Sequence, residues 1–313
     1  MHGRTAFLFP GQGSQFVGMR AGLGSLQPAQ RKLFEQAEAL LGLPLHRLID
    51  EGPEAELTRT SNAQPALLVM DLAHAEGARA AGRVADVVLG HSLGEYAALV
   101  WAGTLALDDA LRLARARGRL MEEAVERTPG RMVAVLKVPT DRLEAVLAEC
   151  RTHGVLEIAN YNAPGQLVLS GETRAVERAV ERLRSERLGR TTPLNVAAPF
   201  HCSLMTPAAE AFRKTLLDVE LRPPQPVFID NVTGRPEDDP ERIRRKLVQQ
   251  MVQPVRWETA VRSALELGVD RFLECGPRAV LSGLVRRIAP PRTTIERSET
   301  LLVTSTAEAR EPR

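Results

Sequence analysis

Val84-Ala-Asp-Val-Val-Leu89 runs into Gly90-His-Ser-Leu-Gly94 and on into Glu95-Tyr-Ala-Ala-Leu-Val-Trp101. The first segment is a short valine-rich apolar run that reads as a buried strand, and Ser92 to Trp101 reads as the helix after it. Between them, Gly-x-Ser-x-Gly supplies the two glycines that let a chain turn sharply from strand to helix and lift the serine hydroxyl out of the sheet. Strand, tight turn and helix meet at Ser92, so an α/β fold with a nucleophile elbow is expected. The other reading of the same residues is a serine N-cap on an ordinary helix. An elbow would place Ser92 at a helix N-terminus, which favours negative charge, and would aim the Leu93 N–H at an oxyanion.

Upstream, Thr5-Ala-Phe-Leu-Phe9 is a second buried-strand pattern, stopped by Pro10-Gly-Gln-Gly13. Helical patterns cover 28–41 and 64–80. Downstream the texture changes: 131–138 reads as strand, 141–151 helix, 155–160 strand, 166–170 strand, 173–188 helix and 191–196 strand. That order, βαββαβ, is the ferredoxin-like arrangement. Strands resume at Val227-Phe-Ile-Asp230 and Arg271-Phe-Leu-Glu274. The expected organisation is a discontinuous α/β domain, 1–129 and 198–290, interrupted by a ferredoxin-like module at 130–197. A mostly disordered tail, 291–313, is expected to follow, because that stretch is rich in Thr, Glu, Arg and Pro without helical periodicity.

Composition removes several function classes. The 41 basic and 39 acidic residues nearly cancel, leaving a net charge of +2, so no whole-protein field draws the chain to nucleic acid or a membrane surface. The apolar stretch at 5–9 is too short for a signal-peptide core, and no run approaches the roughly 18 residues of a membrane span. Three cysteines, Cys150, Cys202 and Cys275, lie far apart with no CxxC pair. That spacing argues against a disulfide framework or a zinc site and fits a reducing, cytoplasmic setting.

A serine hydroxyl needs a base. Of the six histidines, His201 is the strongest candidate, because it follows the loop Ala197-Ala-Pro-Phe200 at the edge of the inserted module. His91 is nearer in sequence, but adjacent residues at the top of an elbow point apart, so His91 is expected to pack against or support the turn. Four arginines, Arg112, Arg115, Arg117 and Arg119, decorate one helical segment, and their spacing alone does not choose among them.

Four motifs in order, Phe9-Pro-Gly-Gln-Gly-Ser-Gln15, Gly90-His-Ser-Leu-Gly-Glu-Tyr96, Asn162-Ala-Pro-Gly-Gln166 and Pro199-Phe-His-Cys-Ser-Leu-Met205, resemble the malonyl-CoA:acyl carrier protein transacylases and related polyketide synthase acyltransferases. The resemblance runs from about residue 5 to 290. It implies an α/β-hydrolase-like large domain with an inserted ferredoxin-like subdomain. It further implies Ser92 as nucleophile, His201 as base, and the backbone N–H groups of Gln12 and Leu93 as oxyanion hole. Among the four arginines it selects Arg117, whose guanidinium would grip the free malonyl carboxylate through two parallel hydrogen bonds. The base would be oriented by the backbone carbonyl of Gln250 rather than by an acidic third member. Gln64, His91, Asn162 and Phe200 would line the pocket, with Phe200 disfavouring a branched acyl group.

The implied partners are malonyl-CoA and an acyl carrier protein that brings its own phosphopantetheine, with no cofactor or metal, no nucleic acid, no membrane and a monomeric chain. Basic residues at Arg242, Arg244, Arg245 and Lys246, or at Arg187 and Arg190, are candidates for steering an acidic carrier. Three other functions suit an elbow serine: a carrier-protein acyl hydrolase of the same fold, an unrelated serine esterase, and a non-catalytic carrier-binding subunit. A carboxylate clamp argues against the hydrolase, the lack of an acidic third member against the esterase, and an intact Ser92 and His201 against the subunit.

Overall fold

The computed structural model describes residues 3–194 and 198–299. Among these, nine strands form two sheets: β1 (Arg4–Phe9), β2 (Val87–Gly90), β3 (Gly130–Leu136), β4 (Leu156–Ala163), β5 (Gln166–Glu172), β6 (Arg190–Pro193), β7 (Val227–Ile229), β8 (Val269–Glu274) and β9 (Thr294–Arg297). The first sheet has the order β7-β2-β1-β8-β9, and every pairing in it is parallel. The central strands β1 and β2 carry apolar runs, Ala6–Phe9 and Val87–Leu89, because both faces are covered there. Alternate side chains go to opposite sides. Phe7, Phe9 and Val88 join one core cluster, while Ala6, Leu8, Val87 and Leu89 join a second on the other face with Trp257 and Phe272. Each fully buried Phe or Leu in these layers contributes about 1.5–3 kcal/mol relative to exposure.

The second sheet is antiparallel with the order β4-β5-β3-β6, the strand arrangement of a ferredoxin-like βαββαβ unit. Helices Thr140–Cys150 and Thr173–Ser185 cover one face, where Val133, Val135, Leu143, Leu147, Leu169, Val176 and Leu183 form a third core. The other face turns toward the first sheet, with Met132 and Val168 joining the main core. The architecture is therefore an α/β-hydrolase-like large layer with an inserted ferredoxin-like subdomain.

An irregularity in β4 determines what that inner face presents. Leu156 and Ile158 face the third core, but the register shifts between Ile158 and Asn160, and after it Tyr161 packs on that core instead. One extra residue in a strand inverts the inside–outside alternation. Asn160 and Asn162 are thereby delivered to the cleft between the two sheets.

Several boundaries differ from the sequence reading. Val84 is 74% exposed, and β2 begins only at Val87. The helix expected from Gln64 starts at Thr60 and contains Pro65. The proline removes the hydrogen bond that would reach the Ser61 carbonyl, and the Arg115 Nη1 donates to that oxygen at 2.6 Å instead. The strand expected over 191–196 ends at Pro193, and 195–196 lie outside the described residues. The tail expected from 291 is corrected at its start: Thr294–Arg297 extends the parallel sheet beside β8, because Thr294 and Ile295 are β-branched and the β8 edge offers backbone partners. Residues 300–313 lie outside the description. Among the described residues, no helix is long and apolar enough to cross a membrane, and all three cysteines are buried and free.

Candidate active site

In an open parallel sheet, ligand sites form beyond the carboxyl ends of the strands. Here β1 ends in Pro10–Gln12, β2 in the Gly90–Gly94 turn, and β7 in Asp230–Asn231. Ser92 sits at the tip of the turn with φ of +53°, in the left-handed region that a non-glycine residue enters at a cost of order 1–3 kcal/mol. The flanking glycines are needed for space rather than for φ. A Cβ at Gly90 would overlap the Gly94 backbone, and one at Gly94 would overlap the Phe9 carbonyl. The elbow reading of Gly-x-Ser-x-Gly holds, and the N-cap alternative does not.

His201 also has a left-handed backbone, with φ of +56°, and is 4% exposed. Its Nε2 lies 2.8 Å from Ser92 Oγ, and its Nδ1 lies 2.6 Å from the Gln250 backbone carbonyl. A carbonyl only accepts, so Nδ1 carries the proton and Nε2 is left as the acceptor for the serine hydroxyl. Burial, with the Arg117 charge nearby, lowers the His201 pKa to about 3. The ring is therefore neutral at physiological pH, the state a general base requires.

Arg117 is 1% exposed on the helix Leu107–Arg127. Its Nη2 donates to Ser92 Oγ at 3.1 Å and to Gln250 Oε1 at 2.9 Å, and its Nε has no partner among the described residues. The guanidinium lies over the Tyr96 ring at 5.8 Å. Arg112 is exposed beside Asp109, Arg115 is engaged with Ser61 and Asn62, and Arg119 is exposed. The buried stripe of this helix, Ala110, Ala114, Arg117, Met121 and Ala124, contains Arg117 alone of the four. That helical spacing is legible in the sequence and could have singled it out.

A cavity of about 320 Å³ opens over Ser92, His201 and Arg117, between the elbow and the inner face of the second sheet. Gln12, His91, Asn162 and Phe200 line it, as the sequence led us to expect. The Gln12 and Leu93 N–H groups donate no hydrogen bond to any other described residue. His91 meets the Asn162 Oδ1 through its Nε2 at 2.9 Å and stacks obliquely on Trp257.

Gln64 is a correction. It is fully buried and donates to the Met121 Sδ at 3.4 Å, so it lies behind a lining residue rather than in the wall. Lining residues that the sequence reading missed include Asn160, delivered by the shift in β4, and Val280, Leu281 and Leu284, from a segment after β8. No local pattern marks these; they meet only when the two sheets face each other.

The acyl transferase domain family matches residues 6–299. The malonyl CoA-acyl carrier protein transacylase of Bacillus subtilis strain 168 is 41% identical over 297 residues, covering 95% of this chain and 94% of that protein. That of Escherichia coli K12 is 38% identical over 289 residues, covering 92% and 94%. The chain belongs to the malonyl-CoA:acyl carrier protein transacylase family. Among solved structures, the transacylase from Coxiella burnetii superposes with a TM-score of 0.92 at 36% identity, covering 99% of this chain and 98% of that one. A malonyl-transacylase in complex with its type II polyketide acyl-carrier protein superposes at 0.91 with 38% identity, covering 97% and 99%.

In this chain most of the basic run near residue 244 is not free. Arg242 pairs with Glu237 at 2.8 Å, Arg244 donates to the Leu216 carbonyl, and Lys246 contacts both Asp230 and Glu237 at 2.8 Å. Arg242, Arg244 and Lys246 are thus engaged within the fold, Arg244 also pairing with Glu241, whereas Arg245 is exposed and pairs with no other described residue. Arg187 and Arg190 are exposed, and neither side chain pairs with another described residue.

Proposed function

We propose that the chain transfers the malonyl group of malonyl-CoA to the phosphopantetheine thiol of an acyl carrier protein through a malonyl ester on Ser92, supplying extender units for fatty-acid or polyketide synthesis. The observation that carries this reading is the placement of a buried guanidinium, Arg117, within hydrogen-bond reach of a serine that is itself paired to a neutral histidine. A plain acyl hydrolase has no use for a carboxylate partner at that position.

In the first half-reaction Ser92 Oγ attacks the thioester carbon while its proton passes to His201 Nε2. The free N–H groups of Gln12 and Leu93 stabilise the oxyanion. His201 then returns the proton to the departing CoA thiolate, leaving the malonyl ester. In the second half the carrier thiol gives its proton to His201, attacks the ester carbon, and releases Ser92 as the hydroxyl. Throughout, Arg117 holds the malonyl carboxylate and the Gln250 carbonyl keeps the His201 tautomer. Phe200 borders the acyl space and restricts an α-branch. Of the candidate basic residues, Arg187, Arg190 and Arg245 are left to meet an acidic carrier. The proposed setting is the cytoplasm, with the chain acting as a monomer.

Mixing the chain with radioactive malonyl-CoA should produce a stable protein-bound label that is chased onto carrier protein. Ser92→Ala should abolish the label. Persistence of label in that variant would overturn the nucleophile assignment, and release of free malonate in preference to transfer would favour the hydrolase reading.

A further inference from the structure

The hairpin-tight turn that presents Ser92 leaves two backbone groups without a ladder partner, the Ser92 N–H and the Gly90 carbonyl. Both are met by one side chain. Asn231 Oδ1 accepts from the Ser92 N–H at 2.7 Å, and Asn231 Nδ2 donates to the Gly90 carbonyl at 2.6 Å. Asn231 follows β7, the strand next to β2, and is 2% exposed. It lies outside the lining of the reaction cavity. A primary amide is suited to this position because it donates and accepts side by side.

The same residue connects to the rest of the site. Its backbone N–H donates to Glu95 Oε1 at 2.8 Å, and Glu95 Oε2 accepts from Gln250 Nε2. That Gln250 amide also donates to the Ser92 carbonyl at 3.0 Å, while Gln250 holds Arg117 through its Oε1 and His201 through its backbone carbonyl. Asn231, Glu95 and Gln250, none of which lines the cavity, thus grip the elbow on both of the peptide groups that flank Ser92.

We propose that Asn231 is the positioning residue of the elbow: it holds Ser92 in its left-handed conformation, so that Oγ meets His201 and the Leu93 N–H stays free for the oxyanion. The inference rests on the reading of Ser92 as nucleophile. Asn231 lies outside the lining of the cavity, so its loss should act on the rate of serine acylation and not on substrate binding. Misplacing a reacting atom by about 1 Å costs on the order of a hundredfold in rate.

The test uses the full chain and two variants, Asn231→Ala and Asn231→Asp, with wild type and Ser92→Ala as references. Single-turnover malonylation, KM for malonyl-CoA, and labelling by a serine-directed fluorophosphonate are measured from pH 5 to 9, below each variant's unfolding temperature. Asn231→Ala should acylate about ten- to a hundredfold more slowly with KM nearly unchanged, and should react with the fluorophosphonate more slowly by a similar factor. Asn231→Asp is the same size, and its protonated carboxyl can still donate to Gly90 while accepting from Ser92. When ionised it turns a second acceptor toward the Gly90 carbonyl. Its rate relative to wild type should therefore be high at acid pH and fall as the carboxyl ionises. Should Asn231→Ala fail to fold, Asn231→Asp carries the test alone. A relative rate independent of pH, or a raised KM with unchanged acylation, would overturn the inference. Label surviving in Ser92→Ala would instead overturn the reading beneath it.

Discussion

Replacing Arg117 by alanine tests the substrate assignment most directly. The guanidinium is 1% exposed, and its Nη2 contacts Ser92 Oγ and Gln250 Oε1. Its Nε has no partner among the described residues, so a donor remains for a carboxylate. A malonyl carboxylate bound here is withdrawn from water and paired by charge-assisted hydrogen bonds. Removing one member of such a buried pair costs about 3–5 kcal/mol, because the other is left desolvated and alone. At 1.36 kcal/mol per tenfold, that is a loss of roughly 150- to 5,000-fold in kcat/KM for malonyl-CoA. An acetyl group carries no charge to strand, so acetyl transfer should hold or rise, and the preference for malonyl should collapse. The assay is transfer of radioactive malonyl and acetyl groups from their CoA esters to carrier protein, run in parallel on wild type and Arg117→Ala. Melting temperatures separate this effect from unfolding. Malonyl kcat/KM within about threefold of wild type, on a folded variant, would refute the clamp, since a buried ion pair cannot be lost so cheaply.

Two other expectations bear on the base and on the acyl space. Because His201 is held at a pKa of about 3, single-turnover malonylation should stay nearly level as pH falls from 8 to 5; an acid limb centred near 6.5 would contradict the neutral buried ring. The same shift has a sign for stability. An unfolded histidine takes up its proton near pH 6.5 and the folded His201 only near 3, so the stabilising contribution is complete above 6.5 and is lost as pH falls toward 3. His74, lowered to about 3 by burial, acts in the same direction. Thermal melts across that window should decline with acid, and a melting temperature constant from pH 7 to 4 would count against it. Phe200 is 7% exposed and borders the cavity. Phe200→Ala should improve methylmalonyl-CoA relative to malonyl-CoA by about 1–3 kcal/mol, or roughly five- to 150-fold in kcat/KM; an unchanged ratio would remove Phe200 from the selectivity argument.

The parts legible in the sequence are those written in local pattern. The valine run, two glycines and following apolar helix specify the elbow, because only glycine clears Phe9 and Gly94 at those positions. The alternation of strand and helix patterns over 131–196 specifies the ferredoxin-like unit, whose order depends on chain sequence. Arg117 is also legible, since helical periodicity places it on the buried stripe. The expected tail failed at Thr294–Arg297 because strand pairing at a sheet edge depends on the neighbour, not on the segment.

What only the tertiary structure decided is the company that Ser92 keeps. His201 is 109 residues away from it, Asn231 139 and Gln250 158, and no period or spacing links them. They converge because parallel strands bring their carboxyl ends to one side of the sheet and the second sheet closes over that side. Gln64, expected in the pocket wall, lies behind Met121, and in the basic run at 242–246 Arg242 and Lys246 are paired by their own neighbours. By itself the sequence determined a serine on an elbow. Long-range packing decided how His201 and Arg117 reach it and which amide, Asn231, holds its backbone, because those contacts depend on how distant segments fill space and satisfy each other's buried polar groups.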